Sequence, residues 1–490
     1  MGPAASCRRM PTSSAPTHSR AAAAAAIGRR FAFALLLVLA AVQYAWNAWA
    51  VSPLTGYDGA GHAAYVLTIV KEGRLPHPFA GWSTFHPPLY YLIGALVWHA
   101  LEPLGPRAIV VGLRAISAIS ILVAGFVAYH LAWRSGVSRG VAWTASALVL
   151  FIPCAQMAAA MEGNEALGTG LAALALPFIL ELQRNPSQPR SAACAGLFCG
   201  LALATKYTGL FVAAGCAIPF LRRLDRRGVR ALLVCAGLLG GLGAPAYLRN
   251  LVLTGSPIPM TRKLEPIRNA EEAETIRERR VTDYLWVPRD CLLRPSIYYV
   301  DPWLHQRGNF SMQSIWCLAF ASIWYDAFAD RIPLAFHVDG VWIAPTLMLL
   351  GLAPTGLMLF GFICAVVEVV RHGLRDRNAP LVAMSLVGLT SFLAFTWRAP
   401  TLAAVKGSYL LPLAVPSAIF FSLGAQRLGR WRTILVQASG ATALLAAVVF
   451  TTYLVFPPVS PSLVRDIWQP IDPQFPRGHL RETVDRLLAE

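Results

Sequence analysis

A chain of 490 residues in which 56% are hydrophobic and only 14% charged is excluded from the ordinary soluble class, where about a quarter of residues carry charge. Its formal net charge of +17 invites a nucleic-acid reading. The arginines, however, sit in clusters between apolar runs rather than along one soluble face, so the charge reads as membrane topology and no nucleic-acid partner is expected.

Residues 1–28 are rich in Ala, Ser, Thr, Pro and Arg without periodicity and read as a disordered cytoplasmic tail. Arg29 and Arg30 precede an apolar run from Phe31 to Ala50. That run is long for the core of a signal peptide, so it predicts an uncleaved first transmembrane helix. The following segment, 51–107, is an elaborated first external loop. It opens with Tyr57-Asp58-Gly59-Ala60-Gly61-His62 and turns at His86-Pro87-Pro88-Leu89-Tyr90-Tyr91. Gly61 to Glu72 predicts a short amphipathic helix with Ala64, Leu67, Thr68 and Val70 on its greasy side. Leu89 to Leu101 is too short to span and predicts a second helix lying against the bilayer.

Arginine clusters assign the remaining connections. They follow apolar runs at about 108–132, 166–183, 207–221, 342–370 and 408–426, so that every second connection is basic. The pattern predicts an all-α integral membrane protein of about eleven transmembrane helices, with interfacial helices in the first external loop. The N-terminus is inside and the C-terminus outside. A polytopic domain then covers 29–455, with a second long external loop at about 251–341 and an external tail at 456–490. Six of the nine cysteines fall in apolar runs and read as small core residues. Cys291 and Cys317 lie in the second external loop, where an oxidising compartment leaves both a disulfide and free thiols open. No internal repeat or inverted pair of broken helices speaks for a secondary transporter.

This topology delivers acids and bases from distant helices to one face of the bilayer. Asp58 and His62 come from the first loop, Arg114 from the start of the second span, and Glu162 and Glu165 from after the third. Lys206 and Tyr207 follow the fifth span, Arg249 and Asn250 the seventh, and Lys406 with Tyr409 precedes the tenth. Intramembrane and interfacial charges are costly unless water, a partner or a ligand meets them. Such a set suits transfer of a group from a lipid-linked phosphate. A carboxylate takes the proton of the attacking group, and lysine and arginine hold the departing phosphate. No Gly-rich phosphate loop, Ser-His-Asp order or zinc spacing is present in the sequence. No cofactor is called for, and a divalent metal stays open.

The ordered series of motifs resembles the GT-C superfamily of membrane glycosyltransferases, near the protein O-mannosyltransferase and aminoarabinose transferase group (glycosyltransferase family 39 and relatives). The resembling pieces are Tyr57-Asp58 with His62, His86 to Tyr91, Leu113-Arg114, and Ala204-Thr205-Lys206-Tyr207-Thr208-Gly209. Arg249-Asn250 with Gly255-Ser256-Pro257, and Lys406-Gly407-Ser408-Tyr409-Leu410-Leu411-Pro412, complete the series. The resemblance implies a polyprenyl-phosphate sugar donor, a membrane-lipid environment and a protein, lipid or glycan acceptor. It implies Asp58 as catalytic base and Lys206, Arg249 and Lys406 as phosphate ligands. His86, Arg114, Tyr207 and Tyr409, in the same motifs, join them as substrate-binding residues. It leans towards a bacterial inner membrane with the site on the periplasmic face.

Two departures from the family pattern stand out. Relatives often carry Asp-Glu where this chain has Asp58-Gly59, so Glu162 or Glu165 is a candidate for the second acid. An arginine often precedes the tyrosine of the last motif, where this chain has Lys406. His62 has two readings, as a group orienting Asp58 or as a satisfied interfacial histidine; in the catalytic reading it stands with Asp58 and Glu165. The rival functions are a transporter or flippase of a lipid-linked anion and a catalytically inactive relative.

Overall fold

The computed structural model describes residues 17–51, 58–81, 83–222, 224–259, 279–287, 292, 314–325, 340–399 and 405–454. The expected external tail, Tyr57 and most of the second external loop lie outside this set. Among the described residues there is helix and no strand. The protein is an integral, multi-pass, all-α membrane protein.

Eight helices are long and apolar enough to cross a bilayer. Among the described residues they are α1 (Thr17–Ala50), α4 (Pro106–Arg134), α7 (Asn164–Arg184), α10 (Arg226–Thr254), α12 (Gly340–His372), α13 (Ala379–Arg398), α15 (Arg432–Leu454) and α14 (Ala414–Arg427), the last reaching span length together with the turn that precedes it. α1 begins inside the stretch read as a tail. A 3-10 turn, Gly407–Leu413, leads into α14. A ninth span is broken: α5 (Arg139–Phe151) and α6 (Pro153–Ala160) meet at 53°. The two remaining spans expected from the sequence are α8 (Pro189–Thr205) and α9 (Gly209–Ala217), both shorter than a full crossing.

Local chemistry explains the break. Pro153 disfavours helical backbone in the residue before it, and Ile152 takes ψ 131. The freed carbonyl of Phe151 accepts a hydrogen bond from Gln156 Nε2 at 2.6 Å. The other end of that amide accepts from Gln43 Nε2 of α1 at 2.8 Å, and the same nitrogen lies within reach of the Ala447 carbonyl and Thr451 Oγ1 of α15. The backbone freed at the bend is thereby satisfied by a side chain of the broken span itself, which Gln43 of α1 holds in place. Elsewhere glycine lets backbones touch. A Cβ on Gly361 of α12 would sit 1.8 Å from the Phe420 carbonyl oxygen of α14.

The first external loop holds α2 (Gly59–Glu72) and α3 (Leu89–Leu101). At 14 and 13 residues each is about 20 Å long, short of a hydrocarbon core of about 30 Å. The buried stripe of α2 is His62, Tyr65, Val66 and Ile69. It packs on Tyr90, Tyr91 and Ala95 of α3 and on Ile109 and Leu113 of α4. This corrects the expected face: Ala64, Leu67, Thr68 and Val70 are only half-buried. Both stripes keep helical spacing. The one through His62 carries Tyr65, whose ring stacks on Tyr91 at 3.8 Å and buries far more surface than alanine or threonine.

The two ends of the bundle differ in charge. Glu165 opens α7, and Gln183 stands in its last turn. Around Gln183 gather Arg222, which donates to its carbonyl at 2.9 Å, and the carbonyls of Leu374 and Asp376, each 2.7 Å from its amide nitrogen. Arg427, the last residue of α14, pairs at 2.9 Å with Glu368 near the C-terminal end of α12. The basic connections therefore share one end, and the residues nominated for chemistry share the other. We expect a cysteine introduced at Arg74, beside α2, to react with an impermeant maleimide in intact cells. One at Arg184 should react only after permeabilisation. The reverse pattern would invert the orientation.

Candidate active site

Asp58 is the N-cap of α2 and adopts φ 56, the single non-glycine residue with positive φ among those described. Aspartate tolerates this left-handed region better than most residues, and such outliers collect where geometry is imposed by function. The carboxylate is 3.0 Å from Nζ of Lys406, the residue that starts the 3-10 turn before α14. The next residue is fixed too, since the Gly407 amide donates to Ser322 Oγ of α11 (Ile315–Trp324) at 2.6 Å. Burial disfavours the Lys406 charge, but Asp58, Tyr409 and Glu165 together outweigh it and hold the ammonium above the ordinary lysine range.

A second acid–lysine pair lies alongside. Glu165, in the first turn of α7, is bonded to Lys206, which caps the C-terminus of α8 in extended backbone. The Lys206 ammonium also stands over the ring of Tyr409, 5.2 Å from its centroid. Both lysines are buried, as is Glu165, whereas the Asp58 side chain is 28% exposed and forms the open edge of the group.

His62 sits one turn into α2, its amide bonded to the Asp58 carbonyl. Its Nδ1 is 2.8 Å from the Tyr91 hydroxyl and its Nε2 3.9 Å from Glu165 Oε2. The imidazole thus stands against the second acid. His86 lies beside it, ring centroids 5.8 Å apart. The preceding carbonyl, Phe85, is gripped by Tyr207 Oη at 2.7 Å and Asn250 Nδ2 at 3.1 Å, which sets the turn that presents His86. Burial drives both imidazoles below the ordinary histidine range, so both are neutral at pH 7.

Two nominated arginines stand apart from this group. Arg114 is fully buried and pairs with Glu162 at 3.0 Å, and its Nη1 donates to the carbonyls of Ala48 at 3.0 Å and Val51 at 2.7 Å. It ties α4 to the end of α1 and to the loop that begins the site. Arg249 donates to the carbonyls of Leu75 at 3.4 Å and Pro76 at 2.5 Å, holding the segment after α2. Of the two candidates for the second acid, Glu165 stands with Lys206 and His62, while Glu162 is paired with Arg114.

Tyr91, Asn164 and Ser322 were not nominated from sequence. Tyr91 lies within a motif already singled out, and Asn164 directly precedes Glu165, but nothing in composition marks either as a partner of His62. In this structure Asp58 and Glu165 each hold a lysine ammonium, Lys406 and Lys206. Among the described residues, the three metal-type ligands that approach one another are Glu368, His372 and Asp376 at the basic end, with Arg427 already on Glu368.

No protein-family model and no curated protein matches the chain. Solved structures do. The oligosaccharyltransferase of Archaeoglobus fulgidus tethered with an acceptor peptide aligns over 94% of this chain and 59% of its own, at 14% identity and TM-score 0.51. The same archaeal protein in complex with an inhibitory peptide and a dolichol-phosphate aligns over 94% and 60%, at 13% identity and TM-score 0.50. ArnT from Cupriavidus metallidurans bound to undecaprenyl phosphate aligns over 94% and 85%, at 15% identity and TM-score 0.38. This chain spans less than two thirds of the length of the oligosaccharyltransferase chains it matches. At such identities the likeness is one of fold: the chain shares the fold of this archaeal oligosaccharyltransferase over the aligned residues.

Proposed function

We propose that the protein is a glycosyltransferase that moves a sugar from a polyprenyl-phosphate donor to an acceptor on the external face of the membrane. The observation that carries this reading is the pair of acid–lysine contacts, Asp58 with Lys406 and Glu165 with Lys206, at one end of a GT-C bundle. Without donor, each ammonium is held by a carboxylate. A phosphate entering between them offers the lysines a better anion, and the carboxylates are released from their counter-ions as the donor binds. Phosphate binding and base activation are then one event.

The reaction follows in balance. Asp58, at the open edge, takes the proton of the acceptor hydroxyl or amine. The acceptor atom bonds to the anomeric carbon as the bond from that carbon to the phosphate oxygen breaks, and the electron pair leaves with the polyprenyl phosphate. Lys206 and Lys406 stabilise the charge that collects there. Attack opposite the leaving group inverts the anomeric centre. Cys317 on α11 is disulfide-bonded, which supports an oxidising compartment on the side of the site. Cys291, for which the sequence left both a disulfide with Cys317 and a free thiol open, lies outside the described residues. A bacterial inner membrane with a periplasmic site agrees with this. The charges gather at one end of the bundle rather than at mid-depth on broken helices, which favours transfer over transport.

The test is turnover of a radiolabelled polyprenyl-phosphate sugar by the purified protein; its absence across sugar donors and acceptors would overturn the reading. Lipid binding gives a second expectation. Lys206→Ala and Lys406→Ala should each weaken binding of polyprenyl phosphate about tenfold to a hundredfold, the cost of leaving a phosphate oxygen unpaired. Arg249→Ala, whose guanidinium is engaged by two carbonyls, should leave it within about threefold. Thermal-shift titration with the lipid measures all three. Equal affinity in both lysine variants and wild type would remove the lysines from the phosphate site.

A further inference from the structure

His62 is neutral and buried, and two chemically opposite roles are open to a neutral imidazole: accepting the acceptor's proton through a lone pair, or donating a hydrogen bond through N–H. Hydrogen-bond logic at the site decides between them. The Thr205 carbonyl can only accept, and Asn164 Nδ2 lies 3.3 Å from it, which fixes the Asn164 amide with its nitrogen on that side. The same nitrogen lies 3.4 Å from the Tyr91 hydroxyl and donates its second hydrogen there. The Tyr91 oxygen is therefore an acceptor towards Asn164, and its own proton is available for His62 Nδ1 at 2.8 Å. An Nδ1 that accepts leaves the imidazole proton on Nε2.

That Nε2 is buried without a hydrogen-bond partner, and it faces Glu165 Oε2, itself buried and without one, 3.9 Å away. The distance is too long for a hydrogen bond, so donor and acceptor stand across a gap. We propose that Asn164 and Tyr91 are positioning residues that lock His62 as the Nε2–H tautomer, so that it donates a hydrogen bond to an anionic oxygen in the site and does not act as a base. In the donor-free protein His62 Nε2 makes no such bond and faces Glu165 Oε2 across the gap. In the proposed reaction, on which this second half rests, the anionic oxygen is one of the donor phosphate drawn in as Lys206 leaves Glu165.

The tautomer is read without any substrate. Magic-angle-spinning nitrogen NMR on histidine-labelled protein in lipid, with the His62→Gln spectrum subtracted to identify the signal, should show protonated Nε2 and unprotonated Nδ1 near neutral pH. Tyr91→Phe removes the hydroxyl donor with little change of shape, and Asn164→Leu removes the group that orients it; in each the Nδ1–H form should appear. A wild-type Nδ1–H form, an imidazolium, or a tautomer untouched in both variants would overturn the proposal.

Turnover supplies the role. His62→Ala should lose about 10²- to 10³-fold, as when one donor to a developing oxyanion is removed. Glutamine can accept from Tyr91 through Oε1 and donate through Nε2, so His62→Gln should recover about tenfold or more of that loss. Equal loss in both is the signature of a missing base and would refute the donor role. A wild-type protein without turnover would sink the glycosyl-transfer reading, while the NMR result would still decide the tautomer.

Discussion

Asp58→Asn should lower turnover of a polyprenyl-phosphate sugar about 10²- to 10⁴-fold, the usual cost of losing a general base, while the protein folds and binds lipid as before. Asparagine is the informative choice for two structural reasons. At φ 56 the backbone is left-handed, a region that asparagine accepts readily and that costs alanine about 1–2 kcal/mol. Its Oδ1 also still accepts from Lys406, so the buried ammonium keeps a hydrogen-bond partner. Lipid affinity should hold or rise, because the phosphate no longer competes with a carboxylate for Lys406. Turnover and lipid titration on the same preparation separate the two effects. Near wild-type turnover in Asp58→Asn would remove it as the base and pass that role to Glu165, the other acid of the group.

Arg114→Met should produce the largest loss of stability, about 3–5 kcal/mol. Both partners of the Arg114–Glu162 pair are buried, and the guanidinium also serves the carbonyls of Ala48 and Val51. Removing it leaves Glu162 charged in a site that already disfavours charge, since burial raises its pKa above the ordinary glutamate range. The sign of the pH dependence follows. A carboxyl whose folded pKa is raised is neutral in both states below about pH 4.3 and costs nothing there. Its penalty grows as pH rises towards the folded pKa. The melting temperature of Arg114→Met should therefore fall further below wild type at pH 8 than at pH 5. Arg114→Met combined with Glu162→Leu should recover much of the loss, because replacing both halves of a buried pair by apolar groups is far cheaper than removing one. Losses that simply add in the double variant would break the coupling.

The sequence by itself determined what depends on the local chain. Apolar runs long enough for a bilayer, with arginines at alternate connections, dictate spans and common ends through the cost of exposing backbone and charge to lipid. That was enough to bring Asp58, His62, Glu165, Lys206 and Lys406 to one end, because residues at matching ends of successive spans must share a face. It also marked α2 and α3 as too short to cross. Pairing was beyond its reach. Asp58 and Lys406 are joined across nearly the whole transmembrane domain, and only packing selects Lys406 for Asp58 and Lys206 for Glu165. The resemblance implies Arg249 as a phosphate ligand and Arg114 as a substrate-binding residue. In the folded chain Arg114 bonds to Glu162 and to the Ala48 and Val51 carbonyls, and Arg249 to the Leu75 and Pro76 carbonyls, contacts that no linear pattern holds. The inward face of α2 was likewise decided in tertiary contact: two stripes of that helix are apolar, and the one that aromatic rings from α3 can cover is the one that turns in, carrying His62 with it.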